Sequence, residues 1–516
     1  MAGRHKSTGI KARVLHTAMA ADLLTLLLSF QPDTPGQEKR REYDANARAF
    51  VTQLNNVTPA QWAKAADTEQ DVLVLLDTTV NSIAYAFALR QRIAAIFDKR
   101  NMPEPLQPGG DLWNQLVLFL ETADPVQLRY VGKEWKALVE YTEQIARSCG
   151  SPSLAIAPMR SAMARLDPTT GTFTSFHLGF IQLCMETRSY AAAEPILDNY
   201  IHTLPIKITG VVRDGLEYSV ACADVASSGE YIHHSSGHSD KITLAEIQEY
   251  YVLGAMAYLA LRRFKEAQQF LEHVLVVPSA GTANGFMLEA YKKWVLVSCL
   301  VQGQMGGVPR TANGNAIKTV RAASKAYEAL AEAYGELDNM SKLKAQTQAG
   351  GEIWAEDGNS GLVGELINSQ MRTYVSRLSR TYLAIPVSNI ATQLGATTEE
   401  MALYIETLIK DGHLNARLEE ADKSNAGVVL RFYLDPTQGP LAKSEKQQQQ
   451  ALAEQTIRTN TLAGQVKDAD YRLTLTKEYV ENQKRLVKRP GQHGDAMDTA
   501  WDDGIDAEED IMTDLH

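Results

Sequence analysis

At 516 residues, 45% hydrophobic, 22% charged and 7% aromatic, the chain is too long for one compact domain and has the composition of an ordinary folded protein, which excludes fibrous and disordered classes. Net charge is −11, yet Asp495, Asp498, Asp502, Asp503, Asp506, Glu508, Glu509, Asp510 and Asp514 all follow Arg489 with no Lys or Arg among them. The body is therefore near neutral and lacks the global basic footprint that supplies non-specific nucleic-acid affinity.

In chain order, Arg4, Lys6, Lys11 and Arg13 precede the apolar run Leu23 to Phe30 and superficially imitate a secretion signal. His16 and Asp22 interrupt the pattern and no small-residue cleavage site follows, so residues 14–30 are expected to form an amphipathic first helix. No window reaches the roughly 18 uncharged apolar residues of a membrane span. A single helix is expected over 71–99, where Val72, Leu75, Leu76, Val80, Ile83, Ala84 and Phe87 build one stripe. The loop Met102-Pro-Glu-Pro-Leu-Gln-Pro-Gly-Gly breaks the chain, and helices at about 111–121, 125–148 and 154–165 follow.

Two segments then match a tetratricopeptide-like framework, in which small residues let paired helices approach and larger ones fill the gap. Ile181, Cys184, Ala193, Leu197, Tyr200 and Pro205 fall at spacings of 3, 9, 4, 3 and 5, and Ala255, Tyr258, Ala267, Leu271, Val274 and Ser279 repeat them. Helices at roughly 285–302, 314–335 and 338–347 continue the pattern, with Val320, Ala323, Tyr327, Leu330 and Tyr334 on one face.

From residue 368 the pattern changes. A helix over 368–383, an extended Ile385-Pro386, a short helix 387–394 stopped by Gly395, and a third helix 398–410 with Thr398 as N-cap precede two strands, 414–419 and 428–433. That order predicts a winged helix. Residues 441–488 read as one or two late helices whose apolar positions need a facing helix. The last 25 or so residues are expected to be disordered. The fold class is thus mostly α: a helical-repeat solenoid, a winged helix and a C-terminal helix. Its expected divisions are 1–170 and 171–367 for the repeats, 368–436 for the winged helix, 441–488 for the late helices and 490–516 for the acidic tail.

Motifs for chemistry are missing. Cys149, Cys184, Cys222 and Cys299 form no CxxC pair, which argues against a zinc module or disulfide framework and for a reducing compartment. His233, His234 and His238, with Asp240, form the one histidine cluster, and an exposed loop between repeats is expected there rather than a metal site. Gly303-Gln-Met-Gly-Gly has no following Lys-Ser/Thr and reads as a turn, not a phosphate loop; a Gly-x-Ser-x-Gly elbow and a zinc-isopeptidase motif are absent. In the third helix of the winged helix, Glu399, Glu400 and Glu406 face a single Lys410, so phosphate is repelled and groove reading is disfavoured. Lys484-Arg-Leu-Val-Lys-Arg-Pro is read as a solvated helix end, with nuclear import as the alternative.

Helical repeats running into a winged helix resemble the PCI-domain family of the proteasome lid, the COP9 signalosome and translation initiation factor 3. Glu249-Tyr-Tyr-Val-Leu-Gly-Ala-Met-Ala-Tyr, Phe264-Lys-Glu-Ala, Val277-Pro, and Met287-Leu-Glu-Ala-Tyr-Lys-Lys-Trp-Val-Leu-Val-Ser look like the signalosome subunit 3 branch, and Leu378-Ser-Arg-Thr-Tyr-Leu-Ala-Ile-Pro-Val-Ser-Asn-Ile-Ala looks like the PCI entry helix. The resemblance implies a non-catalytic scaffold in a complex that removes the modifier NEDD8 from cullins and so controls cullin-RING ubiquitin ligases. It implies no cofactor, a zinc isopeptidase on another subunit, and a cytoplasmic and nuclear location. It also implies neighbours of the subunit 1 and subunit 8 type, reached through an arc of winged helices and a shared helical bundle, with no membrane partner. The expected partner-binding residues are a winged-helix edge of Val428, Leu430, Phe432 and Tyr433, and a late-helix seam of Leu462, Val466, Leu473, Val480 and Val487. A lid or initiation-factor subunit and a nucleic-acid adaptor remain open alternatives at this point.

Overall fold

A computed structural model describes residues 23–30, 40–66, 72–168, 171–205, 228–278, 281–336, 339–420, 427–435, 437–474 and 476–487. These are mostly helical, with three short strands. The chain divides into two compact units, one running to Leu261 and the other from Arg262, with 475–477 grouped with the first.

In the first unit the helix expected over 71–99 is broken. Val72–Leu75 ends before Asp77, and Ser82–Ile96 begins after a turn. The Asp77 carboxylate accepts from the Thr79 N–H (2.7 Å) and from the Thr79 hydroxyl (2.5 Å), so its side chain competes with the helical ladder. Helix Ser82–Ile96 is buried on most of its surface. Its first turn is secured by the buried Gln127, which accepts from Ile83 N–H (3.1 Å) and donates to the Val80 carbonyl (2.9 Å). That duty places Gln127 in a one-turn helix, Pro125–Leu128, capped by Asp124, so the continuous helix expected over 125–148 is split and resumes at Gly132–Ser148. Of the expected first helix, residues 14–22 lie outside the described residues; Leu23, Leu27 and Phe30 are buried.

The first repeat folds as its spacing predicts. Helices Ser175–Glu186 and Tyr190–Leu197 pack with each other and with Leu244–Ala260, burying Ile181, Cys184, Ala193, Leu197, Ala255 and Tyr258, while the Tyr258 hydroxyl donates to Asp198 (2.8 Å). Both repeats turn through a non-glycine residue at positive φ, Arg188 (56°) and Arg262 (61°), each four residues after the equivalent Cys184 or Tyr258. The repeat spacing thus extends to the backbone.

The histidine loop differs from expectation. Residues 228–243 form a strap whose Tyr231, Ile232, His238 and Ser239 are buried. His238 contacts the Leu128 carbonyl through Nε2 (3.0 Å) and the Ser236 hydroxyl through Nδ1 (2.8 Å), with its ring 6.1 Å from that of Trp135. Gly132 is required beneath it, because a Cβ there would strike the Ser236 carbonyl and the His238 ring. The strap also ties Lys136 to Asp240 and Ser175 N–H to the Ser239 hydroxyl (3.0 Å). Serine and histidine look polar in sequence, but each finds a partner inside.

In the second unit, Phe264–Val276 packs along Gly285–Gln302, burying Ala267, Leu271 and Val274 against a helix that is itself largely interior. Gly303 caps that helix at φ 76°, confirming a turn in Gly303-Gln-Met-Gly-Gly. The 314–335 helix is two, Gly314–Ala323 and Lys325–Gly335, meeting at the buried Ser324. Val320, Tyr327, Leu330 and Tyr334 are buried as expected, whereas Ala323 at the break is exposed.

The winged helix comprises Ser360–Leu378, β1 (Ala384–Pro386), helices Val387–Leu394 and Thr398–Lys410, β2 (Ala416–Glu420) and β3 (Val428–Phe432). Its core joins Val375, Ile385, Val387, Ile390, Met401, Ile405, Leu414, Leu430 and Phe432. The N-cap of the third helix is Thr397, not Thr398: its hydroxyl bonds Glu400 N–H and the Glu400 carboxylate reaches back to Thr397, completing a capping box.

Candidate partner interface

The Tyr-Lys-Lys-Trp run of helix Gly285–Gln302 forms hydrogen bonds to several different segments of the second unit. Tyr291 donates to Glu328, Lys292 to Asp357 (2.6 Å), Lys293 to Asn359 (2.7 Å) and to Glu289, and Trp294 to Glu272 (3.0 Å). Tyr327 closes the cluster by donating to Asp357 (2.7 Å) and accepting from Asn359 (2.8 Å). Burial pushes the Asp357 carboxyl up, but the bonds from Lys292 and Tyr327 outweigh it and hold the group below its ordinary value. These residues are occupied with one another, so they fix the fold and offer nothing to a partner.

The winged-helix strands require a correction. The sheet order is β1-β3-β2, both pairings antiparallel, so β3 is the central strand and not an edge. Both sides of its backbone are already used, and strand addition there is excluded. Leu430 and Phe432 lie in the core, Val428 is half-buried on the same face, and Tyr433 sits on the opposite face with the Arg417 guanidinium 5.8 Å from its ring. The free edges are β1 and β2. Reading Ile385-Pro386 as extended left this undecided, because hairpin connectivity alone does not say which of the two later strands it pairs with.

Sequence reasoning missed the exposed apolar residues beside that sheet. Leu383, just before β1, accepts through its carbonyl from Phe432 N–H (2.9 Å), and it is 63% exposed; Tyr382, Leu403 and Leu434 are exposed as well. The extended segment around Ile385-Pro386 offered one signal, since alternation along it turns Leu383 to the same face as the buried Ile385 but beyond the end of β1.

The late segment forms Glu445–Thr474, 30 residues long, and Lys477–Val487. Leu462, Val466, Leu473 and Val480 all lie in it, at 36%, 67%, 52% and 39% exposure. Leu452, Ile457 and Tyr471 are also exposed, and Leu452, Val466, Leu473 and Val480 keep multiples of seven residues. The side chain of Val487 and the acidic tail lie outside the described residues. Single exposed apolar side chains are ordinary, but Leu452, Val466 and Leu473 at heptad spacing on one helix, with Val480 continuing the spacing on the next, are the pattern of a seam for another helix.

Among the described residues no His, Cys, Asp and Glu group could hold a metal ion, and no helix is long and apolar enough to cross a membrane. Burial pushes the Cys184 and Cys299 thiols up to about 12, the direction of packing residues rather than nucleophiles.

Comparison with known proteins matches residues 44–314 to the family described as COP9 signalosome complex subunit 3, N-terminal helical repeats. The COP9 signalosome complex subunit 3 of Emericella nidulans is 30% identical over 481 residues, covering 92% of this chain and 95% of the relative. That of Neurospora crassa is 24% identical over 513 residues, covering 95% and 99%. The same mostly helical repeat architecture, the same extent and the matched family together give one conclusion: the chain belongs to the COP9 signalosome subunit 3 family.

Proposed function

We propose that the chain is a non-catalytic scaffold subunit of a signalosome that removes NEDD8 from cullins and thereby regulates cullin-RING ubiquitin ligases, with the isopeptidase on another subunit. The observation that carries this reading is the row of exposed apolar side chains at heptad spacing on Glu445–Thr474 and Lys477–Val487. In this reading the row enters a helical bundle with other subunits. The winged helix meets neighbours of the subunit 1 and subunit 8 type through β1 or β2 and the exposed Leu383 and Leu434, in place of the β3 edge expected from sequence. In this reading the protein works in cytoplasm and nucleus.

The test is to purify tagged full-length chain, wild type and Leu473→Asp/Val480→Asp, from its own cells at near-physiological salt. Wild type should bring down signalosome subunits and an activity that cleaves NEDD8 from a cullin and is abolished by a zinc chelator. The double variant should lose both while keeping its circular-dichroism melting curve. Retention of the subunits by the variant would sink the seam assignment; co-purification of lid or initiation-factor subunits would sink the signalosome reading.

A further inference from the structure

The second unit presents a run of charge of one sign. Between Glu289 and Glu328 the sequence contains no acidic residue, while Arg310, Lys318, Arg321 and Lys325 occur in its second half. Helix Gly314–Ala323 buries Ala316, Ile317 and Val320. Helical geometry then sends Lys318 and Ala322 to the opposite, outward face, with Arg321 exposed on its flank, and Lys325 follows at the exposed start of the next helix. Arg321 is engaged by Glu328 (2.9 Å). Arg310, Lys318 and Lys325 are exposed and make no ion pair among the described residues. Other exposed cations of the same unit are bridged, as Lys342 is to Glu336 and Arg262 to Glu365.

The matching charge is at the C-terminus. Helix Lys477–Val487 ends in the same unit, and residues 488–516 beyond it hold nine carboxylates and, after Arg489, no cation. Asp498, Asp502, Asp506, Asp510 and Asp514 recur every fourth residue, with Met497, Trp501 and Ile505 stepping beside the first three. These three residues give the tail a short apolar period. Residues 488–516 can reach at most roughly 100 Å, which is ample within one unit.

We propose that the Arg310, Lys318, Arg321 and Lys325 face is a docking surface for an acidic peptide, and that its occupant is this chain's own tail, residues 495–514. The proposal stands apart from the scaffold reading, since it concerns a contact inside one chain. Tethering raises the local concentration of the tail, so a weak, salt-sensitive contact suffices for occupancy. Such a contact also shields a basic face from adventitious polyanions until a stronger ligand displaces the tail.

A water-soluble carbodiimide, which joins a carboxylate to an amine in direct contact, tests this on the full chain. Peptides joining residues 495–514 to Lys318 or Lys325 are expected at about 0.05 M salt, falling by about tenfold at about 0.5 M as screening shortens the range of the charges. The Lys342 and Glu336 pair serves as the internal control for coupling. Full-length Arg310→Glu/Lys318→Glu, with both changes on exposed positions, should keep its melting curve while links from the tail to the remaining Lys325 are lost. Mixing isotope-labelled and unlabelled chains should give links within one chain. The idea is overturned if the tail joins other lysines such as Lys443 or Lys446, joins none while the control couples, or joins a second copy. It is equally overturned if, in the purified assembly, the two lysines couple to carboxylates of another subunit or are protected by bound nucleic acid.

Discussion

Two long helices of the second unit, Gly285–Gln302 and Glu445–Thr474, use their side chains in opposite ways. In the first, Tyr291, Lys293, Trp294 and their neighbours are buried, and even the charged Lys293 has partners in Asn359 and Glu289. In the second, apolar residues stand in solvent and the helix is polar on average around them. Burial is therefore a poor guide to importance here: one helix specifies the fold from inside, and the other holds apolar surface that only another helix can remove from water.

Substitution at the two helices is the sharpest way to break that contrast. Trp294→Ala removes a fully buried indole and its bond to Glu272, and the expected loss is about 3–5 kcal/mol, read as a lower midpoint in chemical denaturation. Leu473→Asp in the isolated chain should change the midpoint by less than about 0.5 kcal/mol, as expected for an exposed site. A large loss at Leu473 would mean that the late helix is held by its own chain, and the seam would no longer be free.

Much of this division was readable in the residues and some of it was not. Ile181 to Leu197 and Ala255 to Val274 declared the repeats because small and large apolar residues recur at helix-pair spacing, and β3 declared itself a strand. The place of β3 between β1 and β2 was hidden, since three residues with a proline give almost no strand signal. The breaks at Asp77 and Ser324 were hidden as well: at Asp77 a side chain competing for backbone bonds leaves the apolar period intact, and at Ser324 the same apolar face continues on both sides of the break. His238 looked like loop because its partners, the Leu128 carbonyl and the Ser236 hydroxyl, are invisible to hydropathy.

The strap extends the comparison to pH, with a smaller expected effect. Burial holds the His238 and His177 imidazoles down to about 4, against an ordinary value near 6.5, and His233 nearby pushes His238 the same way. Each is therefore neutral in the folded state while the unfolded chain binds more protons between those values. Stability from these groups is fully present above about pH 6.5 and is lost as pH falls toward 4. Asp357 adds its own loss only at lower pH, below the ordinary carboxylate range, because its folded value is depressed. Denaturation midpoints at pH 7.5, 6 and 5 should fall in that order for wild type, and His238→Gln should flatten the fall. An unchanged slope in that variant would show that the strap does not hold His238 in its neutral form.

The smallest effect compares the two repeat turns directly. Arg188 and Arg262 occupy the same repeat position at positive φ, where a Cβ costs about 1 kcal/mol that glycine avoids. Arg262 recovers part of that cost by gripping Glu365 with both guanidinium nitrogens (2.8 Å each), an exposed pair worth at most about 1 kcal/mol. Arg188 is exposed and makes no such bond among the described residues. Arg188→Gly should then raise the denaturation midpoint by about 0.5–1 kcal/mol, while Arg262→Gly should leave it nearly unchanged. Glu365→Gln should lower the wild type slightly and have no further effect on Arg262→Gly, because the carboxylate's partner is already gone. Equal gains from both glycine variants would mean that the Glu365 pair contributes nothing, and that the two turns differ in appearance only. A loss at Arg188→Gly would mean instead that the side chain already has work to do, and the turn, rather than the helices it joins, would become the place to look for a contact.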